Sequence, residues 1–386
     1  MLPQFYIYIQ SLIKKSGGFI SFAQFMELAL YHPQWGYYCT RHFLQDFTTA
    51  PAISPLFAQC FAKQVAPILQ EIHHGSILEL GAGSGQFAKT LLLTLEQQHC
   101  LPQYYFIKEI SPLLRQTQQQ CLQTHCAHLM KHVVWIENWL VDFHGVIIAN
   151  EVLDALPVHA FEVLLSPSTL CVGGESEGVK IQERCVTWKD NQFAWCTTPF
   201  TDPQLAEKAI ALQQQYNLAP GYRSEINLAM LTLTKQLAHC LTKGALFFAD
   251  YGYGQREYYH PERRQGTLTC FHQHQYHDNP LILVGEQDMT AHVDFTSLTD
   301  MAIDASLTLA GYTTQSAFLI SCGLLALAEE QTKHMNISEQ YQQSQAIKQL
   351  LWPSAMGETV KVIAFTKGLE DIPLLGFTVQ DRKRDL

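Results

Sequence analysis

Residues 78–87 of the sequence read LELGAGSGQF, and this stretch carries most of the information about the fold. It overlaps the apolar run SILEL at 76–80, which is typical of a buried β-strand, and it leads into a helical pattern from residue 86 to about 98. The glycines in between let the backbone turn tightly and approach a bound molecule closely. A strand, a glycine-rich turn and a helix in this order predict a ligand site at the free N–H groups that begin the helix.

The three glycines of this turn, Gly81, Gly83 and Gly85, have the spacing GxGxG. Dinucleotide-binding folds use GxGxxG instead, to seat a pyrophosphate. S-adenosylmethionine has no phosphate, and its methionine part requires backbone contacts together with an acid that faces its amine. Glu79 stands two residues before the first glycine. We therefore expect S-adenosylmethionine at this turn, with an NAD site and a tight turn without a ligand as the alternatives.

Strands alternate with helices after this turn. YYFIKEI at 104–110 and HVVWIE at 132–137 read as strands, and a helical pattern over 112–129 separates them. The alternation predicts an α/β fold with a parallel sheet wrapped by helices. Glu109 ends the second strand, where a carboxylate can accept both ribose hydroxyls of a nucleoside. Asn138 follows the third strand, where it either touches the adenine or is an exposed loop residue.

The fourth strand of the pattern lies in GVIIANEVLDALP at 145–157 and ends in polar side chains. Ligands of such sheets bind outside the carboxyl ends of the strands, so Asn150, Glu151 and Asp154 are expected beside the cofactor. Methyl transfer is an in-line displacement for which alignment matters most. If the acceptor is a guanidinium, whose proton is very hard to remove, Glu151 and Asp154 can orient it. The alternatives are a structural role for Glu151 and a helix-cap role for Asp154.

QDMTAHVDF at 287–295 concentrates polar side chains before an apolar helix. His292 serves either as a catalytic base or as a hydrogen-bonding residue that holds a loop. Asp294 can cap the helix that follows. HQHQYH at 272–277 suits an exposed strand or loop better than a metal cluster, and the cysteines and histidines around Cys121 do not have zinc-site spacing. We therefore expect no metal.

The rest of the chain is organised around the α/β pattern. Residues 158–200 contain runs such as FEVLL and VKIQERCVTW around turns, which predicts antiparallel strands, whereas 203–217 and 224–241 look helical. The parallel pattern resumes with GALFFADYG at 244–252, so residues 158–240 form an insertion into the α/β domain. The other expected elements are helices at 2–15, 21–31, 55–72 and 296–310, irregular stretches at 32–54 and 253–292, and a late strand at 360–365.

The formal net charge is −10 and the sequence pI is about 5.9, without the basic footprint of a nucleic-acid binder. A basic protein segment is the more natural partner, because opposite charges steer encounter, although acidity also promotes solubility. The 11 cysteines form no CxxC pair, which favours a reducing compartment. The first residues resemble neither a signal nor a transit peptide, and no apolar stretch approaches the roughly 20 residues that span a bilayer. We expect a cytoplasmic protein; its oligomeric state is not determined.

Several segments together resemble one family, the MidA-like proteins. The resemblance runs through most of the chain in order, and the set is far more specific than the glycine turn alone. The matching segments are HPQWGYY (32–38), DFTTAPAIS (46–54), LELGAGSG (78–85), EISPLLR (109–115), ANEVLDALPVHAFE (149–162), ADYGY (249–253), GTLTCFHQH (266–274), GEQDMTAHVDF (285–295) and MGETVKVIAF (356–365).

This resemblance implies an α/β fold, namely a Rossmann-like class I S-adenosylmethionine-dependent methyltransferase core with a mostly helical inserted lobe. It implies cofactor binding at Gly81–Gly85 and at Glu109. It also implies that the segment DFTTAP covers the cofactor, with Thr48, Thr49 and Pro51 nearby. Mitochondrial members of the family methylate arginine in a subunit of a respiratory complex.

The chain departs from the family pattern within this covering segment. Gln45 stands where the family has a glycine before the aspartate Asp46, and Ala52 replaces a glutamate. If that glutamate orients the acceptor, the departure bears on catalysis or substrate choice more than on cofactor binding.

We therefore predict a protein arginine N-methyltransferase that acts on a respiratory-complex-type protein. The alternatives are a small-molecule methyltransferase, whose acceptor is enclosed by residues 32–47, and a non-catalytic assembly factor that binds S-adenosylmethionine. The expected domains are N-terminal helices with a cofactor-covering loop at 1–54, the first part of the core at 55–157, an inserted substrate lobe at 158–240, and the remainder of the core with a C-terminal extension at 241–386.

Overall fold

The computed structural model describes residues 3–40, 48–166, 179–369, 372 and 374–386. The chain divides into two compact units, each assembled from separate stretches of sequence. The core unit comprises Phe47–Asp154, Leu233–Tyr253 and Val293–Leu386, and the accessory unit comprises Met1–Asp46, Ala155–Thr232 and Gly254–His292. The expected insertion 158–240 is therefore not a unit by itself, because N-terminal residues and residues after 253 fold with it.

Strands and helices are numbered in chain order. The strands are β1 (Phe19–Ser21), β2 (Ser76–Leu80), β3 (Tyr105–Lys108), β4 (Val133–Ile136), β5 (Phe143–Asn150), β6 (His159–Leu165), β7 (Val179–Lys189), β8 (Gln192–Thr198), β9 (Arg223–Ile226), β10 (Leu241–Tyr253), β11 (Thr269–His272), β12 (Gln275–His277), β13 (Asp288–Thr290), β14 (Val293–Asp294), β15 (Thr308–Thr314) and β16 (Val360–Lys367). The α-helices are α1 (Gln4–Lys15), α2 (Phe22–Tyr31), α3 (Tyr37–Thr40), α4 (Ala50–Ile53), α5 (Pro55–Glu71), α6 (Gln86–Gln97), α7 (Pro112–Cys126), α8 (Pro203–Tyr216), α9 (Ala229–Cys240), α10 (Gln255–Tyr258), α11 (Phe295–Asp304), α12 (Gln315–Ser321), α13 (Leu324–Thr332) and α14 (Ile337–Leu351). Short helical turns cover Ala127–His132, Pro353–Gly357, Leu375–Phe377 and Lys383–Asp385.

The core unit is built on a mixed sheet with the strand order β15-β16-β10-β5-β2-β3-β4, and the short β14 pairs with β10. The strands from β10 to β4 run parallel to their neighbours, whereas β16 and β15 are antiparallel. Helices α6 and α7 connect successive parallel strands. This arrangement confirms the predicted Rossmann-like α/β core.

The core of this unit packs on the central strands. Every residue of β2 is buried, which is typical of a parallel strand that is covered on both faces. The aromatic rings of Phe57 and Phe61 on α5 lie 5.0 Å apart, and Phe61 also contacts Phe247 of β10 and Phe318 of α12. Burial of each such ring contributes about 1.5–3 kcal/mol to stability, so this cluster fixes α5 and α12 against the sheet.

The accessory unit contains an antiparallel sheet with the order β1-β7-β6-β9, and β8 pairs with β7. A smaller antiparallel sheet has the order β12-β11-β13. The antiparallel strands predicted within 158–200 are therefore present. The mostly helical character expected for the inserted lobe is wrong, because VKIQERCVTW and its neighbours form long strands that pair with each other across the lobe.

Two predicted helices have different limits in the structure. The helix expected over 224–241 begins only at Ala229, because residues 223–226 pair with β6 as β9. The helix expected over 296–310 ends at Asp304, and β15 follows as an edge strand paired with β16. In the part of the chain that the structure describes, no helix has the length and apolarity needed to cross a membrane.

Candidate active site

The glycine turn connects β2 to α6 as predicted. Gly81, Gly83 and Gly85 have φ angles of +59°, +52° and +80°, a region that side-chain-bearing residues rarely adopt. A Cβ atom on Gly85 would lie 3.1 Å from the Cα of Gln118, and one on Gly81 would lie 3.2 Å from a methyl group of Val152. Glycine is therefore required here by backbone conformation and by close packing together.

Glu79 is buried at the end of β2, where its Oε2 accepts a 2.8 Å hydrogen bond from the Tyr105 hydroxyl. Burial raises the pKa of Glu79 to about 8, the hydrogen bond from Tyr105 lowers it, and the charge of Glu109 raises it further. The free protein therefore holds a neutral acid beside the glycine turn at neutral pH. A cation that approaches this acid would favour its ionised form.

Glu109 follows β3, and its carboxylate accepts hydrogen bonds from neighbouring donors. The backbone N–H of Ser111 donates to Oε1 at 2.9 Å, and the side-chain amide of Gln118 donates to Oε2 at 2.9 Å. Burial raises the pKa of Glu109, whereas these hydrogen bonds and the charge of Arg115 lower it. A carboxylate has about four lone-pair positions, so each oxygen keeps the capacity to accept a ribose hydroxyl.

The residues present fit S-adenosylmethionine. The turn with Gly81, Gly83 and Gly85 leads into α6 without side chains that would keep a ligand from the backbone, and Glu109 stands fixed just after the next strand with acceptor capacity left. Nothing in this set resembles a pyrophosphate seat, which would use the longer glycine spacing. Asn138 lies exposed just after β4, so its two alternatives, adenine contact or loop residue, both remain.

Glu151 occupies an unusual backbone position at the carboxyl end of β5. Its φ angle is +52°, which costs on the order of 1–3 kcal/mol for a residue with a side chain. Its Oε1 accepts hydrogen bonds from the side-chain amide of Asn150 at 3.0 Å and from the backbone N–H of Ala50 at 3.4 Å. Strain of this kind persists only where the surroundings hold it, and it is typical of functional positions.

Asp154 is buried four residues after the end of β5. Residues 151–158, all of them described, form bends and turns, so Asp154 does not cap a helix and that alternative is wrong. Burial and the charges of Glu151, Asp154 and Asp250 raise the pKa of Tyr251 well above its usual value. The carboxyl groups of Glu151, Asp154 and Asp250 therefore all lie close enough to Tyr251 to raise its pKa.

Asp250 is a site residue that the sequence interpretation missed. It is buried on β10, three residues before this strand ends at Tyr253. Its Oδ2 accepts hydrogen bonds from the backbone N–H groups of Val152 and Leu153 at 3.0 and 2.8 Å, and its Oδ1 accepts one from the backbone N–H of Tyr251 at 2.9 Å. It thereby holds the segment between Glu151 and Asp154. The signal was present, since an acid follows the apolar run GALFFA, just as Glu109 follows β3 and Glu151 follows β5.

Gln118 was missed as well. It lies fully buried on α7 and contacts Glu109, the carbonyl of Gly83 and the indole of Trp135. The sequence signal is a polar residue on an apolar stripe, because Leu114, Gln118, Leu122 and Cys126 recur at every fourth position.

Thr48, Thr49 and Pro51 begin the described part of the covering segment. Thr49 precedes α4 and Pro51 lies in its first turn. The contact of this segment with the site is the hydrogen bond from Ala50 to Glu151. Ala52 is exposed on α4, and the other departure, Gln45, lies outside the described residues together with Asp46.

His292 belongs to the accessory unit, whereas the other candidate residues all belong to the core unit. Its backbone N–H donates to the hydroxyl of Thr267 at 3.0 Å, and Thr267 donates from its backbone N–H and its hydroxyl to the buried Glu225 at 2.9 and 3.2 Å. Asp294 caps α11 as predicted, through the N–H groups of Thr296 and Ser297. Among the described residues, no group of three potential ligands is arranged to hold a metal ion.

Relatives with curated names are arginine methyltransferases. Protein arginine methyltransferase NDUFAF7, mitochondrial, from Danio rerio is 27% identical over 373 residues, which cover 88% of this chain and 82% of the relative. The Homo sapiens protein of the same name is 27% identical over 385 residues, which cover 91% and 80%. Because these relatives are mitochondrial proteins, the expectation of a cytoplasmic location is wrong.

A solved structure is similar over nearly the whole chain. It is a "likely methyl transferase" from Burkholderia thailandensis, crystallised with S-adenosyl-homocysteine bound, and it is 33% identical in sequence. The superposition covers 99% of this chain and 96% of the Burkholderia chain, with a TM-score of 0.88. The family model described as "Putative S-adenosyl-L-methionine-dependent methyltransferase" matches residues 60–313. The chain therefore belongs to this family of S-adenosyl-L-methionine-dependent methyltransferases, as its MidA-like resemblance implied, and S-adenosylmethionine is its cofactor.

Proposed function

We propose that this methyltransferase modifies arginine side chains of a protein substrate. The observation that carries the proposal is the strained backbone of Glu151, whose carboxylate is held by Asn150 and Ala50 at the carboxyl end of a parallel strand. Ligands of parallel α/β sheets bind at this edge. The names of the zebrafish and human relatives, which align over most of the chain, support the same acceptor.

The proposed cofactor seat lies at the carboxyl ends of β2 and β3. Gly81, Gly83 and Gly85 contact the methionine part through the backbone, and Glu109 accepts the ribose hydroxyls. Ile110, whose side chain is 60% exposed beside Glu109, offers an apolar surface to the adenine. The other proposed cofactor contacts are Thr48, Thr49, Pro51, Glu79, Asn138 and Asn150.

The acceptor chemistry explains why carboxylates are needed. The cofactor supplies an electrophilic methyl group on a positively charged sulfur. A guanidinium stays protonated in proteins, so its nitrogen loses a proton as the new N–C bond forms. Glu151 is proposed to orient this nitrogen and to accept the proton, and Asp154 is proposed to fix the other edge of the guanidinium. Fixed geometry of this kind accounts for much of the rate of a displacement reaction.

The accessory unit has a proposed role in substrate binding. The inserted residues 158–240 would bind the substrate chain, and His292 would serve as a further base. The acidic net charge of −10 favours a basic substrate segment, because opposite charges increase the rate of encounter. A subunit of a respiratory complex is the first substrate to test, since the family resemblance implies one.

Transfer of a labelled methyl group tests the proposal. The protein is incubated with methyl-labelled S-adenosylmethionine and a lysate from cells that lack it, and the hydrolysed protein fraction is examined for methylarginine by mass spectrometry. We expect methylarginine with the wild type. Glu151→Gln should lose it by about 100-fold or more, the range of a lost proton-transfer group, and should still bind S-adenosylhomocysteine. Glu71→Gln, at an exposed position on α5, is the matched control.

The other outcomes are equally informative. Label that appears only in small molecules would favour a small-molecule methyltransferase. Binding of S-adenosylhomocysteine without label in any fraction would favour a non-catalytic assembly factor. Full activity of Glu151→Gln would show that this carboxylate has no role in the transfer.

A further inference from the structure

Gln118 joins the two segments that form the proposed cofactor seat. Its side-chain nitrogen donates hydrogen bonds to Oε2 of Glu109 at 2.9 Å and to the carbonyl oxygen of Gly83 at 3.1 Å. Its side-chain oxygen accepts a 2.9 Å hydrogen bond from the indole N–H of Trp135 on β4. One fully buried side chain therefore connects the glycine turn, the ends of β3 and β4, and helix α7.

The orientation of the Gln118 amide is determined by its partners. The indole nitrogen of Trp135 can only donate, so the amide oxygen must face it. The amide nitrogen then faces the carboxylate of Glu109 and the carbonyl of Gly83, which can only accept. Both the nitrogen and the oxygen of the amide therefore have partners, which favours a single orientation of this buried side chain.

The backbone of Gln118 contributes to the same junction. A Cβ atom on Gly85 would approach the Cα of Gln118 to 3.1 Å, so the glycine turn lies directly against α7 at this residue. Helix α7 itself begins at Pro112, three residues after Glu109, with Ser111 as its N-cap. A shift of α7 would therefore move both the turn and the acid.

We propose that Gln118 is the positioning residue of the cofactor site, which holds the Glu109 carboxylate and the glycine turn at the separation needed to bind the ribose and the methionine part together. The inference rests on the cofactor seat proposed above and goes beyond it. Gln118 contacts no cofactor atom in this proposal. It acts by presenting Glu109 as an ionised, correctly rotated acceptor.

The charged surroundings of this junction decide how it responds to pH. Burial raises the pKa of Glu109, and the hydrogen bond from Gln118 is among the effects that lower it. Glu79 interacts with Glu109 from β2, and Arg115 from α7 pairs with Glu137 after β4 at 3.4 Å. The other titratable groups around the junction are Lys89 of α6, Lys108 of β3 and Cys121 of α7.

Two substitutions separate positioning from packing. Gln118→Met keeps the length of the side chain and removes the donors, so the affinity for S-adenosylhomocysteine at pH 8 should fall by roughly 10- to 100-fold, as expected for a lost hydrogen bond to a charged group. Gln118→Glu places a second carboxyl beside Glu109 and repels it at pH 8. Two carboxyl groups that share a buried site raise the pKa of the pair, so lowering the pH to 5.5 favours uptake of a proton and lets the new side chain donate again.

The predicted signature is therefore a pH response that differs between the two variants. The affinity for S-adenosylhomocysteine is measured by calorimetric titration at pH 8 and at pH 5.5. The loss of affinity in Gln118→Glu relative to the wild type should be smaller at pH 5.5 by about tenfold or more, because a pKa shift of one unit between neighbouring carboxyls corresponds to a tenfold change in affinity. The deficit of Gln118→Met should not shrink, because loss of the Gln118 donor removes one of the effects that lower the pKa of Glu109 and so favours the neutral form of Glu109 at low pH. Gln315→Met is the matched control, because Gln315 is equally buried and its side-chain amide donates to the carbonyl of Leu350 at 3.0 Å, away from the glycine turn and Glu109.

Two results would overturn the inference, and a parallel variant shows which proposal has failed. Wild-type affinity in Gln118→Met, or a deficit in Gln118→Glu that does not change with pH, would mean that Gln118 only fills space. Glu109→Ala is titrated alongside. If Glu109→Ala binds like the wild type, both the proposed cofactor seat and the positioning role of Gln118 are wrong. If Glu109→Ala loses binding while the Gln118 variants do not behave as expected, only the positioning role of Gln118 is wrong.

Discussion

The hydroxyl of Tyr105 donates a 2.8 Å hydrogen bond to the carboxyl group of Glu79, and both side chains are buried between the first two parallel strands of the core. Burial raises the pKa of Glu79 to about 8 and that of Tyr105 well above its usual value. Both groups are therefore mostly protonated in the free protein at pH 7. The acid expected to face the amine of the cofactor is thus neutral until a cation reaches it.

Binding of the cofactor product should release a proton at pH 7. The ammonium group of S-adenosylhomocysteine favours the ionised form of Glu79, whose pKa of about 8 then falls. We expect on the order of one proton released per ligand bound. Calorimetry in buffers with different ionisation enthalpies measures this number. Glu79→Gln should release almost none, and an unchanged release in that variant would assign the proton to another group.

The same residue should make stability depend on pH. Its folded pKa of about 8 lies above the ordinary value of 4.5, so its stabilising contribution is complete below about pH 4.5 and is lost as the pH rises through 8. Glu79→Gln removes this dependence. Urea unfolding at pH 5.5 and 8.5 should show a decrease in unfolding free energy that is about 1–4 kcal/mol larger in the wild type than in the variant. Equal decreases would contradict the buried, raised pKa.

Gly85→Ala should weaken cofactor binding and stability together. The added Cβ would meet the Cα of Gln118 at 3.1 Å with φ at +80°, so either the turn or α7 must move. Gly17→Ala is a close control, since φ is +83° there and nothing lies within 4 Å of the added atom. Both variants should lose about 1 kcal/mol from backbone strain, and only Gly85→Ala should lose more and bind S-adenosylhomocysteine at least roughly tenfold more weakly. Thermal unfolding and titration compare the two.

Asp250→Asn should reduce methyl transfer more than cofactor binding. The carboxylate of Asp250 accepts N–H groups from Val152 and Leu153, which position the segment that carries Glu151. In Asp250→Asn, an amide NH2 group would face the N–H donors of Val152 and Leu153 and could not accept from them. The substitution should therefore lower the unfolding free energy by about 1–3 kcal/mol. The turnover number and the dissociation constant of S-adenosylhomocysteine are measured in parallel.

Asp381→Asn provides the comparison for this variant. Asp381 accepts backbone N–H groups of Tyr312 and Lys383 in the C-terminal part of the core unit. It should lose some stability and keep its turnover. If Asp250→Asn lost affinity and turnover in equal proportion, the proposed role in positioning Glu151 would be wrong.

Much of the core could be predicted because its signals are local. The apolar run before Gly81 predicts β2, the glycines predict the turn, and the acids Glu79, Glu109 and Glu151 mark the strand ends. The structure brings these residues into one unit, since parallel strands present their carboxyl ends at the same edge of a sheet.

Pairing between distant segments could not be predicted in the same way. Residues 308–310 were expected to end the helix over 296–310, and only pairing with β16, about fifty residues later, makes them the start of the strand β15. The same holds for β9, which pairs with β6, and for the character of the inserted lobe, where strand pairing overrides short-range helical patterns.

The strand–turn–helix unit and the order of the acids follow from the sequence alone, because each depends on neighbours within a few residues. The three-dimensional fold was needed to show that Gln118 links Glu109 to the glycine turn, that Asp250 holds the segment after Glu151, and that Glu79 is buried against Tyr105. These contacts join residues up to about one hundred positions apart. Their strength comes from burial, which raises the energetic cost of an unmatched polar group and of a charge.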